Sequence, residues 1–257
     1  MKRTIVVTAT DTGVGKTVTT ATLAAALRRC GYSVGVMKPI ETGVVIERRS
    51  DAWFLKQVAQ VSDALELIRP YAFRLPVAPL DASRVERRPI RFSTIRQAYR
   101  RLQRRHDLLL VEGVGGLHVP LTAAADVLDL IAMLQAPVLV VGRAGLGGVN
   151  HARLTVDTLR RRKIPVLAVV LNHPTPARTA LARRQAQSTV SLLRERAGVP
   201  VVGPLPHHPG MAARTVQALS KLVENREMGK LMKLVLAAAR ESRRRRAKCP
   251  APSGSPR

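Results

Sequence analysis

The sequence predicts a three-layer α/β fold, a mostly parallel central sheet flanked by helices. Three observations carry this. Runs nearly continuous in Val, Leu and Ile recur along the chain, as in strands buried on both faces of a parallel sheet. Helical patterns lie between them, joined by right-handed crossovers. The first apolar run leads into "TATDTGVGKTVTT", Thr8 to Thr20, where a glycine-bearing loop opens a helix.

In order, Ile5 to Ala9, Ser33 to Met37, Asp107 to Val111, Pro137 to Gly142, Pro165 to Leu171 and Pro200 to Leu205 read as strands. Lys16 to Arg29, Ser50 to Gln60, Phe92 to Arg105, Asn150 to Arg162 and Arg178 to Arg196 read as helices. The Pro-bearing stretch Arg69 to Pro79 reads as a long loop over the sheet's edge. Ligands of such sheets bind beyond the carboxyl ends of the strands, so the informative loops follow Ala9, Met37, Val111, Val141, Leu171 and Leu205.

A chain of 257 residues, 46% hydrophobic, can bury one sizeable core. The division expected is a main α/β domain over residues 1–220 and a basic extension over 221–257. The extension reads as helical to about Glu241, then disordered from about residue 242, where "SRRRRAKCPAPSGSPR" cannot bury enough apolar surface to fold. No apolar run approaches a membrane span, and Thr4-Ile5-Val6-Val7 enters a strand without a signal-peptide pattern. Cys30 and Cys249 lie far apart and form no metal or disulfide pattern. A cytoplasmic protein is expected, with no membrane partner.

The net charge of +26 raises the question of nucleic acid. The basic residues are mostly dispersed, however, and aromatic residues for stacking bases make up only 3%. From Lys221 onward the chain carries 11 Lys/Arg against 3 Asp/Glu, a tail suited at most to weak nucleic-acid affinity. A solvated basic surface whose field attracts ATP is the favoured reading.

The chemistry lies in the loops. A strand, glycines at Gly13 and Gly15, Lys16-Thr17 and then a helix form the context of a phosphate loop, hence a phosphate-loop NTPase fold. Gly13, Val14, Gly15, Lys16, Thr17 and Val18 would cradle the ATP phosphates, with Lys16 on the β/γ-phosphates and the Thr17 hydroxyl on Mg²⁺. A Walker A loop would place its first glycine at Thr10, so the loop fits that pattern only in part. Asp11 stands where chromosome-partitioning ATPases carry a second lysine, which disfavours that class. Leu171-Asn172-His173-Pro174 lacks the Lys and Asp of a guanine reader, yet the Asn172 amide could pair with an adenine edge or simply serve the turn before Pro174.

"MKPIETG", Met37 to Gly43, follows the second strand; Lys38 there could hold an anionic intermediate, or be a surface lysine. In "LLLVEGVGGLHVPL" an apolar strand delivers Glu112 into a turn with Gly113, Val114, Gly115 and Gly116. Glu112 could bind Mg²⁺ as a Walker B acid, or cap the next helix. Asp51, in "RRSDAWFL", starts a helix as its cap or first-turn acid.

Together "TDTGVGKT", "KPIETG", "SDA", "VEGVGGLHVPL", "GLGGVNH", "LN" and "GPLP" resemble the dethiobiotin synthetase family, in its order and spacing from residue 4 to about 210. The resemblance implies a loop one residue longer than Walker A, with Ala9 where the family has its first glycine. It implies an ATP-dependent cyclo-ligase of biotin biosynthesis, making the ureido ring of dethiobiotin from 7,8-diaminononanoate and CO2 with Mg²⁺. Lys38 matches the family's active-site lysine, with Lys16 its catalytic partner, and Thr17, Asp51 and Glu112 match its magnesium positions. Thr42 matches a substrate-contacting hydroxyl; Asn172 matches the adenine reader, with His173 and Pro206-His207 beside the base. Gly145, Leu146 and Asn150 match a segment that reaches the substrate's carboxylate across a homodimer, at a helix expected to begin at Asn150. A cobyrinate-amidating synthetase would bring a glutaminase cysteine, which neither Cys30 nor Cys249 supplies. A nucleotide-switched partitioning or nucleic-acid-binding ATPase is the remaining alternative, opposed by Asp11 and Lys38.

Overall fold

A computed structural model describes residues 3–207 and 219–247. Its first strand β1 (Arg3–Ala9) runs into α1 (Lys16–Arg29), then β2 (Val34–Met37), the two-residue β3 (Ile40–Glu41), a 3₁₀ turn at Glu47–Arg49 and α2 (Asp51–Ala59). Next come α3 (Leu65–Ile68), β4 (Tyr71–Ala72), α4 (Pro79–Val85), α5 (Phe92–Arg105) and β5 (Leu108–Glu112). The second half holds α6 (Val127–Leu134), β6 (Val138–Arg143), α7 (Gly148–Arg161), β7 (Val166–Asn172), α8 (Ala180–Arg196) and β8 (Val201–Leu205). The last described elements are α9 (Ser220–Val223) and α10 (Arg226–Ala247).

Six strands form one parallel sheet in the order β2-β5-β1-β6-β7-β8. All six expected strands are present, within a residue or two of the expected bounds. Their side chains are buried on both faces, consecutive Leu109 and Leu110 of β5 and Val138, Leu139 and Val140 of β6 included, which is why the sequence shows runs rather than alternation. Because every strand points the same way, all six informative loops emerge at one edge.

Register then decides who meets whom. β2 pairs with β5 so that Met37 lies beside Val111, and the next residues, Lys38 just past β2 and Glu112 at the end of β5, lie side by side. β1 pairs with β5 through Val7 and Glu112, which brings Glu112 level with the start of the phosphate loop.

Several short elements depart from the sequence reading. The stretch from Arg69 to Pro79 is not all loop: β4 lies parallel to β3 in a small second sheet, pairing Ile40 with Tyr71 and Glu41 with Ala72. Helix α6 was not expected, although Asp126 and Asp129 form a reciprocal capping box before its apolar run. Helix α7 starts at Gly148, with Gly147 as its left-handed cap, so Asn150 lies inside its first turn rather than at its start.

Helix α1 carries buried threonines, a costly choice unless their hydroxyls are bonded. Thr19, Thr20 and Thr22 donate back to the carbonyls of Gly15, Lys16 and Val18. Helix α5 buries Ile95, Ala98, Tyr99 and Leu102 on one stripe and turns its arginines outward. Helix α10 packs on β8 and α1 through Met228, Leu231 and Val235, and Glu227 accepts a bond from Gly203 N at 2.8 Å. It runs past Ser242, where the sequence reading expects order to end; residues 248–257, which hold the rest of the expected tail, lie outside the described residues.

Candidate active site

The phosphate loop bends at Gly13 and Gly15, whose φ values of 75° and 97° only glycine adopts without strain. Ala9 is the last residue of β1, in extended backbone that alanine accepts, so its departure from the family glycine needs no adjustment. Gly15 caps α1 without a side-chain hydrogen bond, leaving the helix's first N–H groups open to an anion.

Asn172, at the end of β7, braces this loop from below. Its Nδ2 donates to Val14 O at 3.0 Å, Gly15 O at 3.2 Å and Thr19 Oγ1 at 3.0 Å. Its Oδ1 is buried and, among the described residues, without a partner. Val14 is accordingly buried behind the loop, not presented on its outer side. Across the β7–β8 register, which pairs Asn172 with Leu205, His173, Pro206 and His207 gather beside Asn172. His207 Nδ1 lies 3.1 Å from Pro174 O, and burial, then the His207 charge, lower the His173 imidazole below its ordinary value.

Four separated segments converge on one point. Lys38 Nζ donates to Asp51 Oδ2 at 3.0 Å, Glu112 Oε1 at 2.5 Å and Gly113 O at 3.4 Å. Thr17 Oγ1 donates to the same Glu112 oxygen at 2.8 Å. Glu112 Oε2 is buried with no partner among the described residues. Burial pulls the Lys38 ammonium down, but Glu112, then Asp51 and Glu41, outweigh it and hold the group above the ordinary lysine value. Lys16 behaves in the opposite sense. Burial first, then the Lys38 charge, lower it to about 8 while its Nζ donates to Gly115 O at 3.1 Å and Asp11 O at 3.3 Å. A bound anion would restore that charge.

Lys16, Thr17, Lys38 and Asp51 border one cavity of about 450 Å³, while Glu112 is fully buried and does not line it. Gly13, Lys16, Thr17 and Val18 line it from the loop, Lys38 and Thr42 from beyond β2, Asp51 from α2, and Val114 and Gly115 from the turn after β5. Thr12, Glu41 and Phe54 line it too and were not assigned a role from sequence. Glu41 stood in plain view inside "KPIETG", with nothing in the pattern to show where its carboxylate turns. Asp51 is not the cap of α2: Ser50 Oγ accepts from Trp53 N at 3.2 Å, and the Asp51 carboxylate turns instead to Lys38. Nor does Glu112 cap the following helix, since Asp126 caps α6. Asp11 pairs with Arg143 at 3.1 Å across the loop.

Gly145, Leu146 and Asn150 do not enter this cavity. They line a separate one of about 760 Å³ between α7 and α8, beside Leu154 and Leu192. A larger cavity, about 1010 Å³, is lined by the amino-terminal end of β1 and by Arg96, Arg100 and Arg104 of α5, and holds none of the assigned residues.

The convergent oxygens of Thr17, Asp51 and Glu112 are hard donors, and the second Glu112 oxygen, Oε2, is an orphaned buried carboxylate oxygen. Among the described residues no group of three His, Cys, Asp or Glu side chains could hold a metal alone. Two carboxylates and a hydroxyl suit Mg²⁺, which takes one or two carboxylates and completes its shell with water and substrate phosphates. No described helix is long and apolar enough to cross a membrane.

Comparison with known proteins identifies the family. A family model described as an AAA domain matches residues 3–215. The ATP-dependent dethiobiotin synthetase BioD of Anaeromyxobacter dehalogenans (strain 2CP-C) is 47% identical over 174 residues, 68% of this chain and 78% of that protein. The enzyme of the same name from Thermodesulfovibrio yellowstonii is 38% identical over 218 residues, 80% of this chain and 90% of that one. Among solved structures, the MinC:MinD cell division protein complex of Aquifex aeolicus superposes with a TM-score of 0.53, at 16% identity and 98% of both chains, a likeness of fold alone. With relatives of that name 47% and 38% identical over 68% and 80% of its length, the chain belongs to the ATP-dependent dethiobiotin synthetase family.

Proposed function

We propose that the protein closes the ureido ring of dethiobiotin from 7,8-diaminononanoate, CO2 and ATP, releasing ADP and phosphate. The observation that carries this is the pair Lys16 and Lys38, two lysines lining one cavity next to an open helix N-terminus. CO2 adds to one neutral amine and a proton leaves, giving a carbamate. A carbamate oxygen attacks the γ-phosphorus and ADP departs. The second amine then attacks the carbamoyl carbon, the C–O bond to phosphate breaks, and loss of a proton completes the ring. Such a sequence needs positioned positive charge more than acid–base groups.

Each residue's part follows from its surroundings. The loop amides around Gly13 to Val18 and the Lys16 ammonium bind the phosphates. Lys38, held protonated by its carboxylates, faces the carbamate and the phosphoryl group in flight. Thr17, Asp51 and Glu112 hold Mg²⁺, which neutralises phosphate charge when bound. Thr42 contacts the diamine. Asn172 Oδ1, the orphaned acceptor, receives the adenine amine, with His173, Pro206 and His207 beside the base.

The same reading makes the working unit a homodimer. Leu146, Leu154 and Leu192 are exposed around the cavity that holds Gly145 and Asn150. A second copy covering this face would bury them and bring that segment to the partner's substrate tail. We place the reaction in the cytoplasm.

The test is direct. Purified protein is incubated with ATP, Mg²⁺, bicarbonate and 7,8-diaminononanoate, and products are read by mass spectrometry. Dethiobiotin appearing in step with ADP is expected. Nucleotide binding without product would overturn the reading.

A further inference from the structure

Two helix N-termini border the cavity, and they are treated differently. That of α1 is left open. That of α2 is filled: Glu41 Oε1 accepts from Asp51 N, and Oε2 accepts from Ala52 N at 3.2 Å. Ser50 Oγ takes the next N–H, from Trp53. The orphan donors of the first turn are thus satisfied by two side chains.

Glu41 is itself held. It is 6% exposed, and Arg69 Nη1 reaches its Oε2 at 3.2 Å. Arg69 is also buried, and its Nη2 grips both oxygens of Glu47 at 2.7 and 2.8 Å. The β3–β4 pairing brings these two together, since Glu41 lies beside Ala72 in the small sheet and Arg69 shortly precedes β4. One carboxylate therefore fixes the backbone of Asp51 and of the residue after it, while the Asp51 side chain turns to the point where Thr17 and Glu112 converge.

We propose that Glu41, clamped by Arg69, is a positioning residue for the magnesium site: it fixes the first turn of α2 so that the Asp51 carboxylate meets the Glu112 carboxylate and the Thr17 hydroxyl. The proposal rests on the magnesium reading above. Partners behind metal ligands affect metal affinity by about 10–100-fold. By filling the α2 terminus Glu41 also leaves α1 as the open helix end for phosphate.

The experiment uses Mn²⁺ as a paramagnetic probe, titrated by EPR into the full chain with saturating ADP, and metal-free ADP binding measured in EDTA. Glu41→Ala should weaken Mn²⁺ by about tenfold or more, with metal-free ADP affinity within about twofold of wild type. The Mg²⁺ concentration for half-maximal turnover should rise by the same factor, and saturating Mg²⁺ should restore most of kcat. Glu41→Gln, which keeps an acceptor but loses the Arg69 ion pair, should lie between. Should Glu41→Ala not fold, Arg69→Lys takes its place, keeping the cation without the two-sided grip. Unchanged Mn²⁺ affinity would overturn the proposal, as would an equal loss of metal-free ADP binding. If wild-type protein with ADP binds no Mn²⁺, the magnesium reading itself falls.

Discussion

Lys38 Nζ stands 2.5 Å from Glu112 Oε1, a pair formed because the β2–β5 register sets Met37 beside Val111. Glu112 is fully buried and Lys38 nearly so. Removing the cation would leave a carboxylate uncompensated, which costs about 3–5 kcal/mol for a buried pair. Lys38→Met should therefore unfold at lower temperature and make no product while still binding ADP. Added Mg²⁺ should raise the Tm of this variant more than that of wild type, because the ion replaces the missing charge. Thermal unfolding across a Mg²⁺ series checks this; equal responses would separate Lys38 from the metal site.

Glu112→Gln keeps an acceptor for Thr17 but loses its charge. The Mg²⁺ requirement should rise by about 10–100-fold, as when a metal site loses a supporting group. A steady-state Mg²⁺ titration reads this directly, and an unchanged requirement would remove Glu112 from the site.

Gly15 and Asn172 are coupled by contact. A Cβ on Gly15 would fall 2.5 Å from Asn172 Nδ2, at a φ that already disfavours any side chain. Gly15→Ala should lose ADP binding by at least about tenfold, and Asn172→Ala should recover part of it in the double variant, a coupling expected of touching residues. Asn172→Asp should be worse than Asn172→Ala, since it faces the Val14 and Gly15 carbonyls with another acceptor. Calorimetry on the set decides; strict additivity would contradict the brace.

Asp63 predicts an acid limb of stability. Burial alone would raise its carboxyl, but hydrogen bonds from Arg105 and His106 outweigh this and hold it below the ordinary aspartate value. A carboxyl lowered on folding contributes stability above its unfolded pKa and loses it as pH falls through the lower folded value. Asp63→Asn should cost about 1–3 kcal/mol at neutral pH, the worth of hydrogen bonds to a charged group. The gap from wild type should close as pH drops below about 4, the ordinary aspartate range. Urea unfolding between pH 7 and pH 3 measures it, and a constant gap would refute it.

Leu146→Asp, on a side chain 83% exposed, should shift the protein toward a monomer and raise KM for the diamine more than KM for ATP. Light scattering and steady-state kinetics report both. A dimer that persists with unchanged constants would move the interface elsewhere.

Much of this was legible in the chain. Continuous apolar runs marked the six strands because a parallel sheet is buried on both faces, and Gly13, Gly15 and Lys16-Thr17 marked the phosphate loop because few other residues permit that bend. What escaped were short elements. The two-residue strands β3 and β4 are too short to carry a period, and α6, eight residues long, was masked by the apolar sequence around it.

By itself, the sequence determined the layered fold, the loop that takes phosphate and the residue types around it, since these follow from periodicity and local backbone demands. Only the tertiary structure decided that Lys38, Asp51 and Glu112 share one point, that Asn172 turns its amide to the loop, and that Glu41 fills the end of α2. Those facts depend on strand register and on the β3–β4 pairing, which join residues far apart in the chain, and no local pattern encodes them.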